Sequence, residues 1–120
     1  MSNEDESAAQ IERFHGLAAR GQEELEILYS QELTNWLVEF VGAELPGSQP
    51  PPVNSPKEFA DALHELGRNK RAWSQRLGSL VIELSDSQAA EQKEQALERL
   101  NEFIQQCPWR FLRESARRKL

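Results

Sequence analysis

Apolar residues return at helical spacing from Ile11 to Val41: Phe14, Leu25 and Trp36 lie eleven apart, and so do Ala18, Tyr29 and Phe40. Eleven residues are close to three full turns, so the stripe keeps to one face of a nearly straight helix instead of winding as a heptad would. The pattern predicts a helix over residues 11–41, on the order of 50 Å long. Its part from Leu25 to Val41 is the more regular, because Gly16 and Gly21 each cost about 1 kcal/mol relative to alanine and favour fraying or a break.

Residues 42–55 carry Pro46, Pro50, Pro51 and Pro52. Proline before proline excludes helix and favours an extended path, which makes this stretch a semi-rigid connector. It could also dock a proline-recognising domain, but no basic or aromatic signature flanks it and a spacer is the simpler reading. A second long helix follows. Ser55 suits the N-cap, Pro56 the first helical position, and Glu58 the reciprocal place in a capping box. Phe59, Leu63, Leu66, Trp73, Leu77, Val81 and Leu84 mark its inner face, and Lys70 interrupts that face. SDSQ at 85–88 stops this helix and caps a third, which runs to about Gln106 with Ala90, Ala96, Leu97, Leu100, Phe103 and Ile104 inward. Pro108 ends it and suits the first turn of a shorter fourth helix carrying Trp109, Leu112 and Ala116.

No alternating β-branched run competes with these periods. The prediction is an all-α helical bundle with two long antiparallel helices and two shorter ones, a single domain over residues 1–120 with residues 1–10 unstructured. If the connector places Phe40 beside Phe59, facing residue numbers sum to about 99, and Lys70 comes within a turn of Glu32. Both break apolar patterns, so a structural ion pair between Glu32 and Lys70 is expected; the alternative is a lysine stem laid along the surface with its ammonium in water.

Composition narrows the function classes. The 120 residues include 38% hydrophobic and 28% charged residues, a globular balance. The net charge of −6 disfavours general affinity for nucleic acid or anionic membranes and favours a basic partner. No apolar run approaches the roughly 20 residues of a membrane span. A single cysteine and an acidic N-terminus without an apolar core fit a cytoplasmic protein without a signal peptide. Residues 1–45 hold ten acids and two bases, whereas residues 108–120 hold five bases and one acid.

Candidate chemistry is sparse. His15 and His64 belong to no HExxH or other paired metal-ligand spacing, so no metal or cofactor is expected. Cys107 has no assigned base and reads as an idle thiol. RNKRAWSQR at 68–76 interleaves four bases with Trp73, a pattern seen where proteins track single-stranded nucleic acid, but Trp73 lies on the apolar stripe and the bases scatter around the helix. No catalytic residue is assigned.

The surface of EELEILYSQELTNWLVEF, Glu23 to Phe40, is the more telling feature. Glu23, Glu24, Glu26, Glu32 and Glu39 repel one another and would be relieved by a cationic protein partner. A small, acidic, all-helical chain with such a helix resembles the bacterial immunity and antitoxin-type proteins. The resemblance implies a one-to-one complex in which carboxylates block the basic cleft of a toxic enzyme. Two other classes stay open: a small helical subunit of a CRISPR-type ribonucleoprotein, and a regulator that self-associates through apolar helix surface. The sequence leaves the oligomeric state open.

Overall fold

The computed structural model describes residues 3–120, with side chains from residue 6 onward. The order is α1 (Asn3–Ala18), α2 (Gln22–Leu28), α3 (Gln31–Glu44), α4 (Pro56–Asp86), α5 (Ala90–Gln106) and α6 (Arg110–Arg117), with no strand among the described residues. The all-helical class is as predicted. The expected first long helix is three helices, and α4 is the one long element. Helix α1 begins at Asn3, inside the stretch expected to be unstructured; Met1 and Ser2 of that stretch lie outside the described residues.

Local chemistry explains both breaks. Gly21 is extended at φ −71°, ψ 165° and starts α2. Tyr29 leaves helical geometry at ψ 129°, and Ser30, also extended, caps α3 by accepting a hydrogen bond from the Leu33 N–H at 3.1 Å. A serine hydroxyl satisfies one of the donors a new helix leaves open, which offsets the cost of interrupting the old one. Ser30→Ala is therefore expected to lower stability by about 1 kcal/mol, read as a shift in a urea unfolding curve; an unchanged curve would mean that α3 needs no cap.

The start of α4 follows its sequence signal. The Glu58 N–H donates to Ser55 Oγ at 3.1 Å, and the Ser55 hydroxyl lies 3.4 Å from Glu58 Oε1. Gly47, at φ +87°, makes the turn after α3 that an L-residue would resist. At the C-terminal end, Trp109 rather than Pro108 is the N-cap of α6, so the proline sits just outside the helix it was expected to open. Ala89, rather than a residue of SDSQ, caps α5.

The chain divides into two compact units, Met1–Asn69 and Lys70–Leu120, and the boundary falls within α4. In the first unit Phe14 of α1 stacks on Phe40 of α3 with ring centroids 4.9 Å apart, and Phe40 stacks on Trp36 at 5.3 Å. The Trp36 indole N–H donates to Gln10 Oε1, and the Arg13 guanidinium lies 4.9 Å from the Trp36 ring centroid. Helix α4 meets α1, α2 and the residues beside them through Gly67 and Ala18, His64 Nε2 and the Arg20 carbonyl at 2.7 Å, Gln22 and Asp61, and Tyr29 and Phe59. These pairs sum to between 83 and 88, so the antiparallel register differs from the expected 99. The cause is the broken helix: α1 and α2 lie along α4, and Phe40 is taken by Phe14. A Cβ at Gly67 would come within 3.1 Å of the Ala18 Cβ, so glycine permits this approach of α1 to α4.

In the second unit α5 runs antiparallel to the distal half of α4. Trp73 meets Phe103 edge-on at 5.8 Å, Arg76 donates to Gln106 at 3.0 Å, and Arg99 pairs with Glu83. Ala96, Leu100 and Phe103 of α5 and Leu112 and Ala116 of α6 are buried, and α6 packs on α5. Trp109, wholly buried, is the largest core side chain of this unit.

Candidate functional site: an acidic and apolar helix face

The two units differ in charge. Residues 1–69 hold four bases and 13 acids, a net −9; residues 70–120 hold ten bases and seven acids, a net +3. The acidic residues are therefore concentrated in the first unit, and six of its 13 lie on α2 and α3.

Helix α2 buries only Leu25. Glu23 and Ile27 lie on its opposite side, Glu24 and Leu28 flank Leu25, and all four are exposed, Leu28 the least at 36%. Ile27 is 83% exposed, an unusual position for an isoleucine in a helix of seven residues. Glu24 is paired with Arg20, while Glu26 is half-buried. On α3, Leu37, Phe40, Val41 and Glu44 point inward, and Glu32, Asn35, Val38 and Glu39 are exposed. Of the five glutamates expected to bind a partner, four are thus exposed, on two helices instead of one. Sequence reasoning missed Ile27, Leu28 and Val38; Ile27 stands two residues from Leu25, off the buried stripe, and that offset was the available signal.

Lys70 is buried, at 5% exposure, and its ammonium lies 6.0 Å from the Trp109 ring centroid and 5.8 Å from that of Phe111. The rings offer their negative faces to a cation whose methylene stem fills core space, which accounts for a lysine on an apolar stripe. Glu32, the partner expected for it, is exposed on α3 in the other unit. Glu44, at 3% exposure, is a second buried charge.

The remaining candidates take part in contacts within the fold. Trp73 is half-buried against Phe103, and Arg76 lies 5.2 Å from the Trp73 ring centroid, so this aromatic and basic pair is used within the fold. Cys107 is buried with its thiol 3.8 Å from the Trp109 carbonyl oxygen. His64 is tied to the Arg20 carbonyl, and His15 is exposed. No three His, Cys, Asp or Glu side chains among the described residues group to hold a metal ion. An open hollow at the α4–α5 turn is lined by Glu83, Asp86, Ser87, Gln92 and Gln95.

The fold and surface define an all-helical protein with an acidic, partly apolar face, and no helix among the described residues is long and apolar enough to cross a membrane. No family model, curated protein or solved structure matches the chain.

Proposed function

We propose that this chain is a non-enzymatic protein-binding module that inhibits a toxic enzyme in the cytoplasm, as immunity proteins do. Glu23 and Glu24 of α2 and Glu32 and Glu39 of α3 enter a basic cleft, and Ile27, Leu28 and Val38 supply the apolar contact. The observation that carries this reading is Ile27: an 83% exposed isoleucine flanked by exposed carboxylates combines an anchor that gains from burial with charges that select a cationic partner. The ribonucleoprotein reading has less support, because Trp73 and Arg76 already serve one another and α5.

The test is inhibition of the enzyme encoded beside this chain, by the wild type and by a Glu23→Lys, Ile27→Asp double variant. The wild type is expected to abolish activity in a one-to-one complex that survives about 0.5 M salt. The variant should bind on the order of 100-fold more weakly while melting as the wild type does, since both positions face water. Equal inhibition by the two proteins would overturn the assignment of this face.

A further inference from the structure

Opposite the side of α4 that meets α5, a second face runs from Arg71 through Gln75, Gly78 and Ile82 to Asp86. These five positions fall within about 80° on a 3.6-residue wheel and span about 22 Å. All are exposed, and Ile82 is 62% exposed. Gly78 has no atom within 4 Å of where a Cβ would stand. Arg76 and Glu83, which lie nearby, are engaged by Gln106 and Arg99, whereas Arg71 and Asp86 make no ion pair among the described residues.

We infer that this face binds a second copy of the chain, α4 against α4, antiparallel about a two-fold axis between Gly78 and Ser79. The face is complementary to itself in that orientation alone. Levels facing one another then sum to 157: Arg71 meets the second copy's Asp86, Gln75 meets Ile82, and Gly78 meets Ser79, each contact occurring twice as a two-fold axis requires. A parallel arrangement would set Asp86 against Asp86 and Arg71 against Arg71. Gly78 and Ser79 at the axis let the backbones approach, and the two isoleucines lie over glycine and glutamine methylenes on either side. One helix face per subunit is a small interface, below about 1,200 Å², so the dimer forms and dissociates over micromolar concentrations. The inference is independent of the α2–α3 reading, whose residues lie in the first unit, and it would make the inhibitor bivalent.

Sedimentation equilibrium of the full chain from about 1 to 500 µM tests it. A monomer–dimer equilibrium is expected, weakened about 10- to 100-fold by Ile82→Glu. Arg71→Glu and Asp86→Arg should each weaken it, and the Arg71→Glu, Asp86→Arg double variant should restore it, because the exchange recreates both pairs. Circular dichroism melting, unchanged by these exposed substitutions, shows that each variant is folded. A chain that stays monomeric, a dimer indifferent to Ile82→Glu, or a double variant no better than its parents would each overturn the antiparallel α4 dimer.

Discussion

Trp109→Ala is expected to lower the stability of the protein by about 3–5 kcal/mol. The indole is wholly buried, and truncation removes the largest fully buried side chain of the second unit at the point where the chain turns from α5 into α6. Two costs add. The cavity forfeits the transfer free energy and dispersion contacts of the ring, and Lys70 loses one of the two aromatic faces its ammonium is set against. Since a chain of this size has about 5–15 kcal/mol in total, the loss is large enough to leave α6 poorly docked. The measurement is urea unfolding followed by far-UV circular dichroism, with Trp109→Phe as the companion. Phenylalanine keeps a ring beside Lys70 and most of the volume, so it should recover more than half of the loss. A Trp109→Ala cost below about 1 kcal/mol would show that the indole is not packed as described.

Lys70 shows what a periodic pattern conveys and what it omits. The wheel places it on the buried side of α4, and it is buried. Its aromatic neighbours come 39 and 41 residues later, beyond α5, and periodicity within one helix carries no information about them. The first three helices show the same division. Of the six residues of the eleven-residue repeat, Phe14, Leu25 and Phe40 are buried and Ala18, Tyr29 and Trp36 half-buried, so none is exposed although the helix is broken. The break itself rests on Gly21 and on Ser30, whose hydroxyl competes for the Leu33 N–H. The serine three residues before Leu33 was the legible signal, outweighed by the apolar repeat running through it. By contrast Ser55 and Pro56 stand where no repeat masks them, and α4 starts where they place it. The candidate site was legible in its charges, since helix faces that repel themselves are visible in any acidic run. Its apolar half was legible only in the two-residue offset of Ile27 from the buried Leu25, a signal masked by the apolar repeat running through the segment.

Phe14→Ala is expected to cost about 3–5 kcal/mol and to release α1 from the first unit. Phe14 is wholly buried, and its ring begins a stack that continues through Phe40 to Trp36. Two further contacts of α1 with α3, Gln10 on the indole N–H and Arg13 over the indole ring, act on one tryptophan. Neither replaces Phe14: an exposed cation–π contact contributes about 0.5–1 kcal/mol, and a neutral hydrogen bond about 1 kcal/mol net. Two measurements separate a local loss from a general one. Amide hydrogen exchange should accelerate over residues 6–18 more than over α5, whose core lies in the other unit. A double-mutant cycle with Phe40→Ala should show about 0.5–1.5 kcal/mol of coupling between the two rings. If exchange rises equally in α5, or if the two losses simply add, the aromatic stack is not what fastens α1 to α3. The exposed residues Glu23, Ile27 and Glu39 make none of these contacts, so under the proposed function Phe14→Ala should still inhibit the cognate enzyme as long as the first unit stays folded.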